Sequence, residues 1–144
     1  MASVSVTQDL PVDPQTAWDN LSDLAGWEKW LSIHQSWKSE LPSEVTVGTQ
    51  ITEVVSVMGM ANKIEWTVTE VAAPTTVTIS GTGMAGVKVE FTLSVAPAET
   101  GSTATIDASF TGTMIVGPIG KAVAKNAQGD LETSLAKLAE LVAA

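Results

Sequence analysis

The chain of 144 residues carries 7 Lys plus Arg against 16 Asp plus Glu, a formal net charge of −9, and no cysteine. That field repels a phosphate backbone and no segment gathers the basic residues, which disfavours nucleic acid as a partner. The missing thiols remove disulfides, thiolate nucleophiles and cysteine-ligated zinc together. The length suits one domain spanning 1–144, able to bury about 68–70% of the surface its unfolded chain exposes, so no metal or disulfide staple is needed. The first ten residues have neither a basic start nor an apolar run of signal length, and no stretch approaches the roughly 20 apolar residues of a membrane span. A soluble cytoplasmic protein without membrane insertion is expected.

Residues 3–10 alternate, with Val4, Val6 and Leu10 inward and Ser3, Ser5 and Thr7 outward, and predict a strand. Asp13-Pro14 then starts a helix: the carboxylate caps free amides, and proline stands where its missing N–H costs nothing. Trp18 and Leu21 fall at helical spacing, Gly26 ends the helix, and 27–31 predicts a second short one. From Ser36 to Thr113 the period is two almost throughout. Strands are predicted at Trp37–Leu41 and Thr49–Val57, with a turn at Gly59 and Asn62. Ile64, Trp66 and Val68 then share one face, followed after Pro74 by Val77 and Ile79. Past a turn at Gly81–Gly86, Val87, Val89, Phe91, Leu93 and Val95 point inward, and the last strand does the same with Ala104, Ile106, Ala108 and Phe110.

Such alternation puts one face on a core and one in water, as in an antiparallel meander. Gly117-Pro118 opens the last element, where Ile119, Val123, Ala127, Leu131, Leu135, Leu138 and Val142 form the stripe of one long amphipathic helix. The order is one strand, two helices, six strands and one long helix. A curled meander has one apolar concave face, and a helix with one apolar stripe must bury it. The expected class is α+β, a helix-grip fold: a seven-stranded curved antiparallel sheet around the C-terminal helix, with two short helices between strands 1 and 2.

Particular segments carry a family resemblance. Pro11-Val12-Asp13-Pro14-Gln15-Thr16-Ala17-Trp18 and Leu24-Ala25-Gly26-Trp27-Glu28-Lys29-Trp30-Leu31 resemble the first- and second-helix signatures of the START superfamily. That superfamily is also called SRPBCC, and is birch-pollen-allergen-like or polyketide cyclase/dehydrase-like. Trp30-Leu31-Ser32-Ile33-His34, the stretch 59–67, Gly86-Val87-Lys88-Val89 and Gly117-Pro118-Ile119-Gly120 resemble an actinobacterial branch of it. Members of that branch are labelled polyketide cyclase, or toxin of a type II toxin–antitoxin pair. The resemblance covers the whole chain and implies the fold. It does not assign chemistry, because this scaffold hosts binders, transporters, cyclases and hydrolases.

Gly81-Thr82-Gly83-Met84-Ala85-Gly86 matches a dinucleotide fingerprint letter for letter, but a strand follows it where a helix is required, so it reads as a hairpin turn. His34 is the only histidine. It reads either as a general base or ligand-orienting group at a pocket mouth, or as a packed, hydrogen-bonded core residue, with no partner carboxylate identifiable from sequence. Glu53 could face inward if Val54-Val55 forms a bulge, serving then as a general acid; its plainer reading is a solvated side chain. Trp18, Trp27 and Trp37 read as core. Trp66, and Trp30 by the family arrangement, read as cavity walls. Met58, Met60, Met84 and Met114, near predicted turns, suit ligand contact and gap filling equally.

The candidate ligand-binding set is Trp30 and His34 near the entrance, with Val55, Val57, Ile64, Trp66, Val68, Ile79, Val89, Phe91 and Phe110 on the sheet. Ile119, Val123 and Ala127 join it from the helix. No metal site and no cofactor are expected, because ligands at the right spacing are missing. The first functional expectation is a cavity for a small hydrophobic or aromatic molecule of lipid, polyketide or isoprenoid type. The second, implied by the branch resemblance, is a toxin acting through a protein antitoxin partner. The third is a cyclase or dehydrase-like enzyme using His34 and Glu53 as acid–base groups.

Overall fold

The computed structural model describes residues 2–41, 45–57, 60–73, 75–83, 86–113 and 115–143; the turn position Gly59, Pro74, Met58, Met84 and Met114 lie outside these, as does the side chain of Val57. Strand β1 (Ala2–Leu10) leads to helix α1 (Pro14–Leu21) and a 3-10 helix (Leu24–Lys29). Six strands follow: β2 (His34–Trp37), β3 (Gln50–Val57), β4 (Met60–Ala72), β5 (Thr76–Thr82), β6 (Lys88–Ala98) and β7 (Gly101–Thr111). Helix α2 (Gly117–Ala143) ends the chain. The strands form one antiparallel sheet in the order β1-β7-β6-β5-β4-β3-β2: the expected meander from β2 to β7, with β1 paired beside β7.

Asp13 caps α1 as expected, its carboxylate accepting from the Thr16 amide at 3.2 Å and the Thr16 hydroxyl at 2.7 Å. These two bonds hold the Asp13 carboxyl below its ordinary range. The helix stops earlier than the glycine suggests. Ser22 closes it at Leu21 by turning both its amide and its hydroxyl onto the Trp18 carbonyl, and Gly26 falls inside the 3-10 helix.

Two further corrections concern the strands. Strand β2 starts at His34, not Trp37, pairing His34 with Val55 and Trp37 with Glu53. The irregularity in that ladder lies in β2, between His34 and Ser36. Strand β3 therefore keeps its alternation, with Ile51, Glu53 and Val55 all buried. Gly81, expected in the turn, belongs to β5, and the turn closes later through the Gly83 amide on the Val87 carbonyl at 2.8 Å. A Cβ at Gly81 would stand 2.6 Å from Ile64 Cγ2 and 2.8 Å from Trp66 Cε3, so only glycine lets these side chains lie flat on β5.

Helix α2 is continuous and packs chiefly along β1, with further contacts to α1 and the 3-10 helix. It meets the other strands only sparsely. The middle of the curved sheet is therefore spanned rather than filled, and the hollow follows from that. No helix among the described residues is long and apolar enough to cross a membrane.

Candidate functional site

A cavity of about 120 Å³ lies between the sheet and α2. Its sheet walls are Val55, Ile64, Trp66, Val89, Phe91 and Phe110, with Val87 and Gly83 at the hairpin end. Val123, Ala127 and Leu131 close it from the helix, Ile115 from the segment before the helix, and Ile33 from the approach to β2. Four polar residues reach the lining: Ser56, Asn62, Asn126 and Asp130.

The set expected from sequence divides. Val55, Ile64, Trp66, Val89, Phe91, Phe110, Val123 and Ala127 line this cavity. Val68 and Ile79 face a second hollow of about 330 Å³ beyond Trp66, shared with Trp18, Leu24, Trp27 and Val77. Along β4 the boundary between the two is Trp66, because Ile64 and Val68 fall on either side of it. Ile119 is a correction: it is 52% exposed. The cause is helical drift, since Ile119 lies 12 residues before Leu131, and steps of about 100° leave it about 120° off that side chain's direction. Ile115, ahead of the helix, is the buried isoleucine at that end.

Trp30 and His34 also lie outside the lining of either hollow. Trp30 is fully buried, edge-on to Trp27 at 6.2 Å and 69°, and its Nε1 has no hydrogen-bond partner among the described residues. His34 has the carboxylate partner that the sequence did not reveal. Its Nδ1 bonds to Glu53 Oε2, and Trp66 Nε1 donates to Glu53 Oε1 at 2.9 Å. Glu53 is 1% exposed, so it is not the solvated acid of the plainer reading. His34 in turn lies against Trp37, ring centres 4.9 Å apart, and Trp37 against Trp27 at 5.7 Å. On the other side Trp66 lies 5.3 Å from Phe91, and Phe91 meets Phe110 edge-on at 6.4 Å.

One buried carboxylate thus joins two aromatic groups, one under the 3-10 helix and one in the cavity wall. With both its oxygens engaged, Glu53 fixes the Trp66 indole, and the indole fixes one wall of the cavity. The pair stands behind the wall. It positions the wall and does not reach the cavity.

The polar lining was missed in the sequence, although periodicity carried it. Asn62 precedes Ile64 by two, and so shares its face in β4. Asn126 and Asp130 fall three and seven residues after Val123, on one side of α2. Another missed contact anchors α2. Ser134, buried on its inner face, accepts from the Ser32 amide at 2.9 Å and donates to the Asp130 carbonyl at 2.8 Å.

A sheet gripping one long helix with a hollow between them is the helix-grip fold, and solved structures share it. A START superfamily protein from Mycobacterium smegmatis superimposes with a TM-score of 0.80 at 18% identity, over 99% of this chain and 98% of that one. The protein TTHA0849 from Thermus thermophilus gives 0.75 at 20% identity, over 98% and 97%. The chain belongs to the family described as polyketide cyclase/dehydrase and lipid transport, whose family model matches residues 1–143. Among curated relatives, protein Rv1546 of Mycobacterium tuberculosis is 41% identical over 141 residues, covering 98% of this chain and 99% of the relative. Toxin Rv0910 of the same organism is 40% identical over 135 residues, 94% of each.

Proposed function

We propose that this chain binds a small apolar molecule in the hollow between its sheet and α2. The observation that carries the reading is the cavity of about 120 Å³ walled by Ile64, Trp66, Phe91, Phe110, Val123 and Leu131. Water in such a place finds few partners, whereas an apolar ligand gains about 25 cal/mol for each Å² it withdraws from solvent. A cavity of about 150 Å³ is known to hold benzene, so the enclosed part of the ligand is about one ring in size. A longer chain would have to leave through the mouth. The family description and the fold support the same reading.

Native purification followed by extraction and mass spectrometry is the direct test, paired with melting curves. Ligand at 100 times its dissociation constant should add about 2.7 kcal/mol of stability. Protein that yields no co-purifying small molecule, and whose melting point no apolar compound moves, would end the proposal.

The relative named Toxin Rv0910 favours a second reading, in which the chain is a toxin held by a protein antitoxin. Expression in the native host should then arrest growth, and co-expression of the antitoxin encoded beside it should restore growth. Normal growth on strong induction would count against this reading.

A further inference from the structure

We infer that the cavity selects a neutral or cationic ligand that brings its own hydrogen-bond donor, such as a phenol, an alcohol or an amine, and that it rejects carboxylates. This rests on the ligand-binding reading above and narrows it to a chemical class.

The first observation is the place of the cations. All seven basic residues are lysines, at positions 29, 38, 63, 88, 121, 125 and 137, and every one is exposed. None lines the cavity. The one histidine, His34, has its Nδ1 engaged by Glu53 behind Trp66. An anionic head in the cavity would therefore be desolvated with no opposite charge to meet it, which is among the least favourable arrangements a protein can make.

The second observation is what the polar lining offers. Asp130 presents a carboxylate, one oxygen of which accepts from Asn126 Nδ2 at 2.9 Å. A carboxylate can only accept, so Asn126 must turn its amino group toward it and its carbonyl oxygen away. Asn62 is fixed in the same sense, its Nδ2 donating to the Met60 carbonyl at 3.3 Å. Each of these bonds uses one of an amide's two N–H groups, so the lining keeps the second oxygen of Asp130 and both asparagine carbonyls as acceptors beside one remaining N–H on each asparagine, and the full charge among the lining residues is negative. A ligand carrying O–H or N–H completes this set. A ligand carboxylate adds a further acceptor beside the negative charge of Asp130.

Three one-ring probes of nearly the same shape test the inference: p-cresol, toluene and p-toluate, titrated into the intact protein at about pH 7.5 with amide NMR shifts as the readout. At that pH the phenol is neutral and the benzoate ionised. The expected order is p-cresol, then toluene, then p-toluate, with at least about a tenfold gap between first and last. In Asp130→Asn the repelling charge is gone, and the gap should shrink several-fold. Dispersed amide spectra verify that the variant is folded. If p-toluate binds as well as p-cresol, or if the gap is unchanged in Asp130→Asn, the inference fails and the apolar-ligand proposal stands. If none of the three probes binds, toluene included, the apolar-ligand proposal fails and takes this inference with it.

Discussion

Glu53 is the residue on which the interior turns. It is a buried carboxyl group with two partners, His34 on one oxygen and Trp66 on the other, so its removal strands both. Breaking a buried pair of this kind costs about 3–5 kcal/mol, and Glu53→Ala should lose stability of that order in urea denaturation. Glu53→Gln should lose less, because an amide oxygen still accepts from Trp66 while its amino group can donate to a neutral His34. Equal losses in the two variants would show that side-chain volume matters here and the hydrogen bonds do not. Trp66→Phe should cost about 1–3 kcal/mol, the penalty for leaving a buried acceptor unpaired.

At the scale of elements, two glycines behave oppositely. Gly81→Ala pushes a methyl group against Ile64 and Trp66, and should destabilise by about 1–3 kcal/mol as measured by thermal melting. Gly129 lies in the interior of α2, where an added Cβ meets nothing within 4 Å. Gly129→Ala should therefore stabilise by about 0.5–1 kcal/mol through helix propensity alone. The cap of α1 adds a pH dependence whose sign is fixed. The Asp13 carboxyl is held below its ordinary value in the folded chain, so its contribution is present above the ordinary carboxylate range and lost as pH falls through the folded value. Asp13→Asn keeps an acceptor for Thr16 and removes the titration. Melting curves taken across acidic pH should show a shallower fall for the variant.

For the molecule as a whole, the decisive feature is that α2 rests on β1 and α1 and bridges the middle of the sheet. Cavity and fold are therefore separable. Ala127 lines the cavity from the helix, and Ala127→Trp places an indole where the ligand would lie. This variant should keep its circular dichroism spectrum and lose apolar-ligand binding in calorimetry. Binding that survives it would move the ligand to another place, with the hollow beside Val68 and Ile79 the next to probe.

Periodicity in the sequence was enough for the succession of elements along the chain, the continuous last helix and most of the apolar walls, because side chains alternate in a strand and repeat every 3.6 residues in a helix. It also placed the Asp13 cap, since capping is a contact within one turn. The exposure of Ile119 and the polar lining were also within reach of that periodicity, whereas two findings needed the folded chain: the Glu53 bond to His34 and the division of the inward residues between two hollows. Each depends on where separate segments meet. Glu53 looked solvated because alternation, which turns it inward with Ile51 and Val55, does not show that both its partners wait on the neighbouring strands β2 and β4. Alternation says which way a side chain points, and only the packing of helix on sheet decides what it meets there.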